Sequence, residues 1–190
     1  MKTLHRFLLP VLSASALAYE ILLTRIFAIV HWHHLVAIAI SLALLGYGAS
    51  GTFLTLMGPR LTRHYAAAFI GNALLFAVSS LVCVKIAQGL PFDPQALAWD
   101  GRQVLTLAAT FLVLAIPFFA VANGIGLTLW RFKQDIPRVY GVDLMGAGAG
   151  GFVLLASLAL FHPASALFAI FLGGVAVAVL AALTLRRHRW

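Results

Sequence analysis

The chain is short of charge. Asp, Glu, Lys and Arg make up only 9% of its 190 residues, against roughly 25% in soluble globular chains. That is too little polar surface to cover a water-facing globule. Acidic residues number just five. A single cysteine, Cys83, excludes an intrachain disulfide and a cysteine-rich metal site. No stretch alternates polar and apolar residues at period two, so a membrane barrel is not indicated. No connection is long enough to hold a soluble domain.

What the sequence has is apolar length. Hydrophobic residues make up 63% of it. They fall into six runs, near 7–30, 35–57, 66–90, 104–130, 137–160 and 164–185. Each approaches the roughly 20 residues that carry a helix across a bilayer core. The expected fold is all-α: one domain over residues 1–190, a polytopic membrane bundle of about six transmembrane helices.

Charge orients that bundle. With the N-terminus inside, the inner segments hold Lys2, Arg6, Arg60, Arg63, Arg131, Lys133, Arg138, Arg186, Arg187 and Arg189. The outer segments hold only Arg102, beside Asp93 and Asp100. The positive-inside rule then predicts cytoplasmic N- and C-termini in a bacterial-type inner membrane. The net charge of +8 is thus a topology signal. The basic end at Arg186–Arg189 suits anionic lipid. No compact basic patch with interleaved aromatics points to nucleic acid. Lys2, Arg6 and Ala16-Leu17-Ala18 imitate a secretory signal, but the apolar run continues to Val30, so a transmembrane helix is expected.

Four charges fall inside apolar runs: Glu20, Arg25, Lys85 and Asp143. Each is costly in a bilayer and calls for a partner. At about 1.5 Å per residue, Glu20, Arg25 and Lys85 share the outer half, and Asp143 lies only about 9 Å in. Glu20 and Arg25, about 140° apart on one helix, do not stack. Pairing across helices, as Glu20 with Lys85, is the structural expectation. A proton or cation relay is the functional one. Asp143, in Tyr140-Gly141-Val142-Asp143, is expected to meet Arg60, Arg131 or Arg138, or to bind a ligand together with Tyr140.

His31, His33 and His34 form one outer turn and His162 another. Imidazoles on one membrane side suit a metal or haem iron. Their spacing is not a zinc motif, and solvation at the membrane interface is the simpler explanation. Gly46-Tyr47-Gly48-Ala49-Ser50-Gly51 matches a dinucleotide fingerprint, and Gly146-Ala147-Gly148-Ala149-Gly150-Gly151 imitates a phosphate loop. Both lie within apolar helices, without the preceding strand that such loops require. Close helix packing is their expected role. Pro117 is expected to kink the fourth helix.

Several of these stretches form an ordered set. They are Tyr19-Glu20-Ile21-Leu22-Leu23-Thr24-Arg25, the run Ser41–Gly51, Pro117-Phe118-Phe119-Ala120 and the run Val139–Gly150. In kind and order the set resembles the membrane region of bacterial spermidine-synthase-like membrane proteins. There, a helix bundle is fused to a cytoplasmic aminopropyltransferase-like domain. That soluble domain takes a decarboxylated S-adenosylmethionine-type donor and a polyamine. The present 190 residues contain no strand–Gly-loop–helix unit, so the resemblance transfers no catalytic residue. It implies only that Glu20, Arg25 and Asp143 occupy the family's polar intramembrane positions.

Three functions fit the sequence. One is a membrane subunit or small transporter-like bundle working with a separate protein partner, with a polyamine as possible ligand. Another is a structural or assembly subunit of a larger membrane complex. The third is a metal- or haem-binding redox subunit. No nucleophile–base pair or carboxylate pair at usable spacing marks the chain as an enzyme.

Overall fold

The computed structural model describes residues 7–30, 36–90, 96, 99–160 and 162–186. Six helices dominate it: α1 (Leu9–Val30), α2 (Val36–Arg63), α3 (Tyr65–Gly89), α4 (Gly101–Arg131), α5 (Ile136–Leu158) and α6 (Pro163–Arg186). All six are long and apolar enough to cross a membrane, and no strand occurs among the described residues.

Two boundaries differ from the sequence expectation by three residues or more. Helix α2 runs on through Pro59 to Arg63 rather than ending at Met57. The Thr62 hydroxyl donates to the carbonyls of Gly58 (2.9 Å) and Pro59 (3.2 Å), and only His64 separates α2 from α3. Helix α4 starts at Gly101, three residues before its apolar run. There the Asp100 carboxylate accepts from the Arg102 N–H at 2.9 Å, an N-cap that hydropathy does not register. Helix α4 also continues through Pro117 as one helix.

The packing order is not the chain order. Helices α2 and α3 scarcely touch, because α4 lies between them. Helices α5 and α6 scarcely touch, because both lean on α1. Register follows from particular contacts. A Cβ on Gly124 of α4 would meet Leu12 of α1 and Phe69 of α3. Tyr19 of α1 stacks on Phe76 of α3 and Phe118 of α4. So α1 and α3 run together and α4 runs against them. Pro10 and Ala14 of α1 face Gly146 and Gly150 of α5, so α5 runs with α1.

The core sits among α1, α3 and α4, where Leu12, Tyr19, Phe69, Phe76, Phe118 and Val121 are sealed. Tyr19 meets Phe76 edge-on at 6.2 Å and Phe118 at 5.3 Å between centroids, the spacing aromatic pairs favour. Interhelical hydrogen bonds add specificity. Ser50 of α2 donates to Asn123 of α4 at 2.7 Å, and the hydroxyls of Tyr65 and Thr128 join α3 to α4 at 3.0 Å.

The glycine runs are packing devices, but only in part. A Cβ on Gly46 would lie 2.5 Å from the Phe118 Cβ and 2.8 Å from the Phe119 nitrogen. Gly146 and Gly150 admit the backbone of α1 at Pro10 and Ala14, and a Cβ on either would collide with it. Gly48, Gly51 and Gly148 face open space. Lipid cannot drive helices together by a hydrophobic effect, so close backbone approach takes its place.

Two outcomes follow. Gly150→Leu should destabilise the bundle by about 1–3 kcal/mol, the usual cost of overpacking, while Gly148→Leu should leave it unchanged, as read by thermal melting in detergent. The Tyr19 hydroxyl is buried without a hydrogen-bond partner. Removing such a group relieves an unmet desolvation cost, so Tyr19→Phe should melt at the same temperature or higher.

Candidate functional site

The α1–α5 seam brings the first polar pair together. Ser13 is buried on α1, and its hydroxyl bonds Oδ1 of Asp143 on α5 as well as the Leu9 carbonyl. This serine, rather than Arg60, Arg131 or Arg138, is the partner of Asp143. The physical reason is register: Gly146 and Gly150 set α5 on the first turns of α1 and so point Asp143 at Ser13. Arg138 instead pairs with Asp135 at 3.7 Å on an exposed surface, where an ion pair contributes little. A serine hydroxyl both donates and accepts. It donates to an ionised Asp143. If Asp143 is protonated it can accept from the acid, while its own hydrogen turns to the Leu9 carbonyl. The pair is satisfied in either protonation state.

Glu20 lies seven residues beyond Ser13, which returns it to nearly the same face of α1. It is half-buried. Neither Arg25 nor Lys85 forms an ion pair with it, and no hydrogen bond to it occurs among the described residues. Tyr47 approaches from α2, about 100° round the helix from the Gly46 contact, and rests edge-on against Phe118 at 6.2 Å. Its phenol lies within electrostatic reach of both Glu20 and Asp143. Thus α1, α2 and α5 present Glu20, Tyr47, Ser13 and Asp143 on one side of the bundle. Helices α2 and α5 flank α1 there without packing extensively on each other.

No family model, curated protein or solved structure matches this chain.

The cations take a different place from the acids. Arg25 and Lys85 are both exposed. Arg25 lies five residues before the end of α1 and Lys85 four before the end of α3. Long basic side chains so near a helix end extend their charge toward the membrane surface. The interior polar set is thus acidic rather than neutralised. Tyr140 is exposed on the first turns of α5 and joins neither group.

His31, His33 and His34 lie outside the described residues. His162 is exposed, and its Nδ1 accepts from the Ala164 N–H at 3.3 Å at the start of α6. Among the described residues no group of three or more His, Cys, Asp or Glu could hold a metal ion.

Sequence reasoning missed Ser13, Tyr47, Ser50 and Asn123. Each is a polar residue in an apolar run, which is a signal. The helix it faces is not readable from one sequence.

The Ser13–Asp143 bond gives a direct test. A double-mutant cycle of Ser13→Ala and Asp143→Ala, followed by unfolding, should return a coupling of about 0.6–1.7 kcal/mol, the range of interhelical hydrogen bonds in membranes.

Proposed function

We propose that the chain is a membrane module similar to the membrane half of spermidine-synthase-like proteins. It works in a bacterial-type inner membrane with both termini cytoplasmic, as a membrane subunit or transporter-like bundle beside a separate protein partner. Its α1–α2–α5 face receives a cation, and a polyamine fits that charge. The observation that carries this reading is the pair of acids, Glu20 and Asp143, without a basic partner among the described residues. A carboxylate in an apolar setting is costly unless paired, and an organic cation would supply the missing charge. The many cytoplasmic Lys and Arg residues would offer the partner a docking face.

A second reading is an assembly subunit. It is favoured by α5, which buries only Val139, Gly146, Gly151 and Leu154. Here a basic residue of a neighbouring membrane protein meets the acids. The redox reading rests on histidines outside the described residues, and metal analysis with an absorption spectrum of the purified protein tests it.

Glu20→Gln and Asp143→Asn preserve shape and remove charge. Each should weaken spermidine binding to the protein in lipid nanodiscs by about tenfold, the scale of one lost charge-assisted hydrogen bond. Unchanged binding together with loss of a co-purifying membrane partner would transfer the site to the assembly reading.

A further inference from the structure

Arg25 stands over a second feature. Where α1 and α5 part, a crevice of about 440 Å³ opens. Its walls include Ile21, Thr24 and Arg25 from α1, Leu155 and Leu158 from α5, and Ala159 just past the end of α5. It is apolar on the α5 side and carries one full positive charge.

That charge is unmatched. Among the described residues Arg25 forms no ion pair and no hydrogen bond. Thr24 does not compete for an anion, because its hydroxyl donates to the Ile21 carbonyl at 2.7 Å. Glu20 lies about 140° away around α1. A guanidinium has five donors in a planar fork that matches a phosphate bidentately. Five residues of helix, about 8 Å, separate Arg25 from the end of α1, a depth at which a long side chain reaches the headgroup layer.

We propose that this crevice binds one phospholipid. The phosphate sits on the Arg25 guanidinium, and an acyl chain runs down the wall made by Ile21, Leu155 and Leu158. The shape and the charge argue for the same ligand. A free phosphate would use the guanidinium and leave the apolar wall bare. A lipid covers both. The phosphate also supplies the counter-charge that no described residue provides, so an anionic lipid without a competing ammonium group is preferred. This site is separate from the Glu20–Asp143 face and does not depend on the function proposed for it.

Native mass spectrometry of the full chain reads the result directly. The probes are phosphatidylglycerol and phosphatidylcholine, with inorganic phosphate as competitor. Wild-type protein should retain one phosphatidylglycerol in preference to phosphatidylcholine, and excess inorganic phosphate should not displace it. Arg25→Gln should lower retention about tenfold, as expected for a lost charge-assisted pair. Ala159→Phe, which fills the crevice and keeps the charge, should lower it as well, and it serves if the Arg25 variant fails to fold. Lys85→Gln removes another exposed cation, on α3, and should change retention less than about twofold. Equal retention by wild type, Arg25→Gln and Ala159→Phe overturns the proposal. So does an equal loss in Lys85→Gln, which would show general surface charge. Displacement by inorganic phosphate overturns the lipid in favour of the free anion.

Discussion

The contact on which the rest depends is the near-backbone approach of α5 to α1. Gly146 and Gly150 offer no side chain, and the backbone of Pro10 and Ala14 fills that space. In a bilayer nothing expels apolar surface from lipid, so van der Waals contact at close range must hold helices together. Helix α5 has little else, since it barely meets α4 and α6. The glycine seam therefore fixes both its position and its rotation. Rotation decides that Asp143 faces Ser13 rather than lipid.

From that setting the polar pattern follows. The core of α1, α3 and α4 is closed by aromatics and leaves no room for charge. Glu20 sits beside Tyr19 in sequence but on another side of the helix, outside that core and toward α2 and α5. The acids are consequently held inside the apolar span, while Arg25 and Lys85 extend toward helix ends. One scaffold sets Glu20 and Arg25 on different sides of α1, about 140° apart. The acidic face suits a cation and the Arg25 crevice suits a phosphate. Both assignments rest on charges without an opposite partner among the described residues.

Much of the fold was legible in the sequence because hydropathy reports length. Six apolar runs became six helices, and α1 ran unbroken past the Ala16-Leu17-Ala18 site to Val30. The missed boundaries were those set by local hydrogen bonds: Asp100 capping α4 and Thr62 sustaining the last turn of α2. The intramembrane charges were legible as residues but not as pairs. Asp143 met a serine, and Glu20 met no base among the described residues. Which helices touch is decided by side-chain shape at particular registers, and one sequence carries no record of those pairings. The glycine runs showed the same limit: their packing role was readable, but only Gly46, Gly146, Gly150 and Gly151 face a neighbour closely, while Gly48, Gly51 and Gly148 do not.

The central claim is that Glu20 and Asp143 act as the seat of a cation. Infrared difference spectroscopy on spermidine addition, with the protein in lipid nanodiscs, observes those carboxyl groups themselves. The account predicts a change in the carboxyl bands that is reduced in Glu20→Gln and in Asp143→Asn and absent from the double variant. A wild-type spectrum with no carboxyl change, or a change that survives in the double variant, would contradict it.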